Sequence, residues 1–586
     1  MKILLTAINA KYIHSNLAVY SLRAYARENV KNENIQIEIA EYTINQQTDE
    51  ILRDIYRRNP DVLCFSCYIW NITNVECLIR DMAKLYPGRE IWVGGPEVSY
   101  DAEEVLLRLP QIKGVMKGEG EETFAGLCRI WPLKEETAQE ALMKNTAGIT
   151  FRTRSGEIVD NPWREPVDLS KVPFVYHDMA DFANKIVYYE TSRGCPFSCS
   201  YCLSSIDKKL RFRDMQLVKK ELQFFIDQKV PQVKFVDRTF NCRHEHAMEI
   251  WRYITEHDNG ITNFHFEVSA DLLNEEEMSL METMRPGLIQ LEIGVQSTNP
   301  QTIEAIHRTM RFNEVKEHVE RIKKGKNIHQ HLDLIAGLPY EDLVSFRKSF
   351  DDVYALKGEQ LQLGFLKVLK GSCMYENQKE YGLLCKDEPP YEVLCTRWLG
   401  YEDVLELKGI EEMVEVYYNS GQFTHTMEML EQEYASAYQM YRDLWIHYET
   451  CGYLGIQHRR SARYDIILEF VRKKMPEKEK NIQEALVYDY YLRENAKNRP
   501  EFAGEYMVDK EFLHAFYEQE AKIHHYLPGY EGYDKNQLRK MTHIEYFPVM
   551  EKMLLFDYKF RNPLNQEART CMIEKDLVRG SAGSEL

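Results

Sequence analysis

The stretch Ile186-Val-Tyr-Tyr-Glu190-Thr-Ser-Arg-Gly194-Cys195-Pro-Phe-Ser-Cys199-Ser-Tyr-Cys202 decides how this chain is read. Its first five residues have the β-branched and aromatic character of a buried strand. Gly194 and Pro196 then break that strand, so three thiols lie on a loop at its carboxyl end. Spaced four and three residues apart, they can converge on one soft metal centre. A structural zinc site takes four protein ligands, and only three cysteines are local. A four-iron cluster held by three thiolates leaves one iron open. Zinc completed by a distant residue, such as Cys242 or a histidine, is the alternative on spacing alone.

Around this stretch strands and helices alternate from residue 185 to about 370. Strands are expected at Ile186–Glu190, Val233–Val236, Phe264–Val268, Ile289–Val295, His331–Ala336 and Leu361–Val368. Helices are expected at Met215–Gln228, Glu245–Glu256, Asn274–Met284, Asn299–His307, Asn313–Lys324 and Glu341–Leu356. Six parallel strands with helices between them predict a partial, TIM-like (β/α)6 barrel, with active residues at the strands' carboxyl ends.

Residues 1–135 predict a separate doubly wound, Rossmann-like α/β domain. Its strands are read at Lys2–Ile8, Ile35–Ile39, Val62–Ile69, Glu90–Val93 and Gly114–Lys117. Ligands of such sheets sit outside the carboxyl ends of the strands. Three of those ends are unusual here: Asn9–Asn16, Tyr68–Asn71 and Gly94–Ser99. Gly94-Gly95 permits close approach of backbone to a ligand, though Gly-Gly-Pro also makes a plain tight turn. GxGxxG is absent, so a dinucleotide is not indicated. Residues 136–184 read as a linker, with a hairpin about Ser155-Gly156 and then Pro162, Pro166 and Pro173. Residues 371–586 read as a mostly α-helical domain, with long helices at Met427–Glu449 and Ile482–Asn495 and a disordered tail at Gly580–Leu586.

Composition sets outer bounds. At roughly 150 residues per domain, 586 residues allow three or four domains. Lys plus Arg number 74 against 92 Asp plus Glu, a net charge of −18, which argues against a general nucleic-acid binder. No run approaches the ~18 apolar residues of a membrane span. Nothing at the N-terminus resembles an address, and 13 cysteines, an odd number, fit free thiols, so a cytoplasmic protein is expected.

The cysteine stretch, placed after the first strand of a partial barrel, resembles the signature of the radical S-adenosylmethionine (SAM) enzymes. An aromatic before the third cysteine, here Tyr201, is usual there. Phe235-Val-Asp-Arg-Thr-Phe-Asn241, Glu292-Ile-Gly-Val-Gln-Ser297 and Asp333-Leu-Ile-Ala-Gly-Leu-Pro339 resemble further segments of that family, in its order. Gly94-Gly-Pro-Glu97 and Gly118-Glu-Gly-Glu-Glu122 resemble the cobalamin-binding domain that precedes the barrel in one large subgroup. One departure is the absence of DxHxxG, which supplies an axial histidine to cobalt elsewhere. His14 is the only histidine in that domain, and its flanks do not match.

The resemblance implies a [4Fe-4S] cluster on Cys195, Cys199 and Cys202, SAM at its open iron, and cobalamin over the N-terminal sheet. For SAM and substrate it points to Tyr201, Asp237, Glu267, Ser269 and Gln296, with Ser297 beside them. For the corrin it points to Ser66, Tyr68, Asn71, Gly94, Gly95 and Glu97, with Trp70 near. Each is equally readable as a satisfied polar or packing residue, and Arg193 as a structural ion pair. Tyr417, Tyr418, His425, Tyr488, Tyr490 and Tyr491 are expected as helical core rather than pocket.

The implied activity is reductive cleavage of SAM to a 5′-deoxyadenosyl radical, followed by methylation of an unactivated carbon or phosphorus. A small-molecule or peptide substrate, a flavodoxin or ferredoxin as electron donor and an anaerobic setting go with it. The alternatives are a non-methylating rearrangement or cyclisation, and a non-catalytic cobalamin or metal sensor. Sulfur insertion into tRNA fits less well, because no basic C-terminal module is visible.

Overall fold

Eight nearly all-buried residues, Lys2–Asn9, form β1, a strand apolar enough to be covered on both faces. It pairs in parallel with β2 (Gln36–Thr43) on one side and β3 (Val62–Ser66) on the other. β4 (Glu90–Gly94) and β5 (Gly114–Met116) continue the parallel sheet. Antiparallel β6 (Ile149–Arg152) and β7 (Ile158–Asp160) follow, giving the order β2-β1-β3-β4-β5-β6-β7. Part of the expected linker therefore extends the sheet. The reason is physical: the free edge of β5 presents unpaired N–H and C=O groups, and the hairpin pairs them. The strand order reverses direction between β1 and β3, so the loops after those two strands diverge and leave a crevice.

The second sheet begins at β8 (Val187–Tyr189). Two short strands, β9 (Ser192–Arg193) and β10 (Arg211–Phe212), then pair antiparallel. β11 (Gln232–Phe235), β12 (Asn263–Val268), β13 (Ile289–Gln296), β14 (His329–Ala336) and β15 (Gln360–Phe365) complete the six-stranded order β15-β14-β13-β12-β11-β8. β13 alternates strictly between buried and half-buried positions. Ile289, Leu291, Ile293 and Val295 form its buried set, and Gln290, Glu292, Gly294 and Gln296 the other face. This polar inner face is what a barrel with chemistry inside requires.

Residues 1–574 of the computed structural model are described, and they divide into two compact units. One comprises Met1–Ile328, Ile335–Leu343 and Phe365–Tyr401, and includes the short pair β16 (Leu384–Cys385) and β17 (Val393–Cys395). The other comprises His329–Leu334, Val344–Gly364 and the chain from Glu402. The latter is mostly helical, with helices at Thr424–Glu431, Ala437–Thr450, Arg460–Lys474, Glu479–Arg493 and Lys510–Ile523. The single helix expected at Met427–Glu449 is two, because Ser436 caps the second by accepting from the Gln439 N–H. An antiparallel sheet of β18 (Thr542–Phe547), β19 (Lys552–Arg561) and β20 (Ala568–Met572) closes the unit. Met553–Phe556 is a continuous apolar run, which strand and helix patterns share. Of the C-terminal aromatics, Tyr417 and Tyr491 are fully buried core residues. The expected tail Gly580–Leu586 lies outside the described residues.

The crevice is braced by Asn71, which is completely buried. Its amide donates to the Ile8 and Ser66 carbonyls at 3.0 and 2.9 Å and accepts from the Tyr68 N–H at 2.8 Å. Ile8 O keeps a second donor, the Trp70 indole. Asn71→Ala therefore strands two backbone groups, a cost of about 2–4 kcal/mol. Urea unfolding followed by tryptophan fluorescence should show the loss in the first transition.

Candidate active site

A cavity of about 680 Å³ opens over the crevice between β1 and β3. Its floor is Asn9, Ser66, Tyr68, Gly94 and Gly95, all at carboxyl ends of the first sheet. Gly95 has φ 116°, and a Cβ there would stand 2.4 Å from the Cys67 carbonyl, so only glycine keeps this floor flat. Trp70 stacks on Tyr68 at 4.4 Å, forming an aromatic wall. The opposite wall comes from the barrel: Tyr188, Glu190, Arg193, Lys234, Arg238 and Glu267. One cavity thus joins the carboxyl ends of both sheets. His14 also lines it, with Nδ1 2.5 Å from the Tyr188 hydroxyl. Burial and nearby lysines lower its pKa, which favours neutral imidazole.

The thiol loop leaves the barrel beside this cavity. The β9–β10 pair pins its two ends, and the Cys195 N–H donates to the Asp207 carbonyl at 3.0 Å. Gly194, at φ 87°, passes so close to Lys209 that a Cβ would lie 2.7 Å from its carbonyl oxygen. Cys195 and Cys199 are buried, Cys202 is half-buried, and all three are free. Among the described residues they form no cluster of ligand atoms within 4.8 Å of one another. Arg308 donates to Cys199 Sγ at 3.6 Å and to the Tyr201 hydroxyl at 3.4 Å, a buried cation beside the cysteine loop. Gln296 lies on the same side: a side chain at Gly294 would meet both its amide and the Arg308 guanidinium. The Gln296 Oε1 is buried without a hydrogen-bond partner.

Ion pairs tie the loop to the first sheet. Arg193 grips Glu190 through two nitrogens at 3.0 and 2.9 Å and reaches Glu121 at 2.6 Å. Glu121 opens the helix Glu121–Ile130 and is almost fully buried. Burial alone would raise its pKa, but Arg193 outweighs it and the carboxylate stays charged. Arg211 pairs with Glu119 at 2.7 Å. The Gly118–Glu122 segment is thereby a clamp on the cysteine loop.

The other residues singled out in the sequence fall into layers. Asp237 is not free to meet a ligand: it accepts from the Thr191 N–H and hydroxyl at 3.0 and 2.6 Å and from the Ser192 hydroxyl at 2.6 Å. Burial raises it to about 6 nonetheless. Ser269 donates to Asp271 at 2.7 Å, and Ser297 to Glu341 at 2.6 Å. Glu97 takes the Tyr391 hydroxyl and Asn71 braces the backbone, so neither lines the cavity. Glu267 does line it, and no described residue hydrogen-bonds its carboxylate. Burial, then Glu292, raises it to about 7. Lys234 and Arg308 had no motif to mark them, and Arg238 lies inside the Phe235–Asn241 segment without having been singled out. Arg308 follows the short helix Pro300–Ala305, where a cation reads as an ordinary end-of-helix charge.

Comparison with known proteins fits this geometry. Residues 3–128 match the family model described as "B12 binding domain", and 189–353 the one described as "Radical SAM superfamily". Over these two stretches the chain resembles the cobalamin-binding radical SAM enzymes. Residues 379–562 match "Protein of unknown function (DUF4080)". The chain is 26% identical over 309 residues to the 2-(S-pantetheinyl)-carbapenam-3-carboxylate methyltransferase of Streptantibioticus cattleyicolor, covering 49% of this chain and 44% of that protein. It is 25% identical over 342 residues to the cobalamin-dependent radical SAM methyltransferase TokK of Streptomyces tokunonensis, covering 55% and 50%. The chain spans about half the length of these curated relatives. Among solved structures, the radical SAM methyltransferase TsrM of Kitasatospora setae, with cobalamin and a [4Fe-4S] cluster bound, superposes with a TM-score of 0.54 at 16% identity over 67% of this chain and 78% of that one.

Two outcomes test the site's electrostatics. Arg308→Gln removes a positive charge from beside Cys199, so the reconstituted cluster should titrate at a more negative midpoint potential with unchanged iron content, read by electron paramagnetic resonance. Glu267 is raised from 4.5 to about 7 on folding, so the folded protein binds the extra proton and stability is lost as pH rises through that window. The stability of the natural chain relative to Glu267→Gln should fall between about pH 4.5 and 7 and be flat above, in urea unfolding.

Proposed function

We propose that this chain is a cobalamin-dependent radical SAM methyltransferase acting on an unactivated carbon or phosphorus of a small-molecule or peptide substrate. The observation that supports it best is the single cavity joining Ser66, Tyr68, Gly94 and Gly95 to the barrel wall at Glu267, beside the thiol loop. Cys195, Cys199 and Cys202 would hold a [4Fe-4S] cluster, which supplies the low-potential electron that cleaves SAM. The flat glycine floor would carry cobalamin, which supplies a methyl carrier.

The chain's own residues bind, orient and enclose. Glu267 offers acceptor oxygens to the ribose hydroxyls of SAM, and the unpaired Gln296 Oε1 offers one to its ammonium group. Tyr201 and Arg308 pack under the thiols. Asp237 acts one step back, fixing Thr191 and Ser192 at the root of the loop. Ser269, Asn71 and Glu97 hold backbone and neighbours in the same way. Tyr68 and Trp70 shield the cavity from water, which keeps a radical from being quenched. The electron would come from a flavodoxin or ferredoxin.

The test is anaerobic turnover of chain loaded with iron, sulfide and cobalamin, given SAM and a flavodoxin reducing system. Both 5′-deoxyadenosine and S-adenosylhomocysteine should form, and neither in Cys199→Ala. Formation of 5′-deoxyadenosine alone would leave a radical SAM enzyme and remove methyl transfer. Absence of both products from a fully loaded chain would favour a sensor.

A further inference from the structure

Far along the sequence from the cysteine triad, a second set of metal-ligating side chains converges in the helical unit. His447 lies in the last turn of the helix Ala437–Thr450, and Cys451 follows four residues later, so both project from one face. Glu469 comes from the helix Arg460–Lys474. One ligand atom from each lies within 4.8 Å of the other two. Cys451 Sγ is 3.7 Å from His447 Nδ1 and 3.9 Å from Glu469 Oε1. Ligands around one tetrahedral zinc stand about 3.5 Å apart, given Zn–S near 2.3 Å and Zn–N or Zn–O near 2.0 Å. The observed spacings need a few tenths of an ångström of closure.

Two further observations point to a cation. His447 is 7% exposed, and among the described residues its Nδ1 meets no oxygen or nitrogen partner, only the Cys451 thiol at 3.7 Å. A buried imidazole without an oxygen or nitrogen partner is costly unless a ligand completes it. Secondly, a cation already sits at the mouth. The Lys473 ammonium is 3.3 Å from Cys451 Sγ and 2.5 Å from Glu469 Oε1, on a side chain that is half-exposed and able to swing away. Tyr453 donates to the other Glu469 oxygen at 2.7 Å and fixes the carboxylate's orientation. A positioned second layer of this kind is what metal ligands commonly have.

We propose that His447, Cys451 and Glu469 form a zinc site that clips the two helices together. Binding exchanges the thiol proton of Cys451 to solvent, displaces the Lys473 ammonium and leaves the fourth position to water. Charge balances, since a thiolate and a carboxylate meet a divalent ion. Histidine, thiolate and carboxylate together suit zinc better than magnesium or calcium, which take oxygen ligands. None of these three ligands belongs to the cysteine triad.

The experiment is zinc K-edge X-ray absorption on the full chain, loaded with its cluster and cobalamin and passed over a weak chelating resin. Iron and cobalt absorb at other edges, and the cluster occupies the triad. About one zinc per chain with a single sulfur neighbour is expected. Cys451→Ser should remove the sulfur neighbour and weaken zinc binding by more than the ~10–100-fold that losing an outer-layer partner costs. Lys473→Gln should tighten binding, which a merely structural lysine would not do. Should Cys451→Ser fail to fold, Glu469→Gln reports the same weakening. No retained zinc, a shell of three sulfurs, binding indifferent to Cys451→Ser and Glu469→Gln, or no tightening in Lys473→Gln would each overturn the proposal.

Discussion

The guanidinium of Arg193 holds the molecule's working parts together. It stands one residue before Gly194 and two before Cys195, grips Glu190 at the end of the first barrel strand, and reaches Glu121 on the first sheet's last crossover helix. Arg193 and Glu121 are both largely buried. Removing one partner of such a pair costs about 3–5 kcal/mol, because the other is left as an unpaired buried charge. The planar fork meets two carboxylates at fixed angles, which lysine cannot imitate. Floor and wall of the cavity are thus registered to each other by one side chain adjoining the thiol loop.

From this constraint the polar economy of the site follows. Carboxylates that position the loop are saturated: Asp237 by three donors, Glu121 by arginine. Among the carboxylates that line the cavity, Glu267 is left without a hydrogen-bond partner among the described residues, and burial moves its pKa to about 7. Perturbed groups in clefts mark functional places because evolution satisfies everything else. The arrangement separates residues that build the site from residues available to a ligand.

Much of this was legible in the sequence. Strand alternation placed both sheets, and the β13 segment Ile289–Gln296 declared its polar inner face by period two alone. The cysteine spacing located the loop, and Gly94-Gly95 the floor. What the sequence did not reveal has identifiable causes. The β6–β7 hairpin looked like a linker, because edge pairing depends on a partner 35 residues away. β19 was hidden because an unbroken apolar run fits strand and helix alike. Asp237 and Asn71 read as ligand residues, since nothing in a sequence says whether a buried polar side chain has already spent its hydrogen bonds. Arg308 resembled an ordinary helix-end charge until its distance to Cys199 was visible.

The sheet's two outer strands carry a consequence for behaviour in concentrated solution. β7 is only three residues long, ends at Asp160, and runs into Pro162, which has no N–H to offer. Asp160 itself is held by Lys117 and Thr150. At the far side, β2 shows Glu38, engaged by Lys2, and Glu41. Neither border gives an incoming strand a long, uncharged ladder to join. The chain can therefore carry a seven-stranded sheet with five parallel strands, a slow and exposed thing to assemble, without its finished edges recruiting neighbours into aggregates.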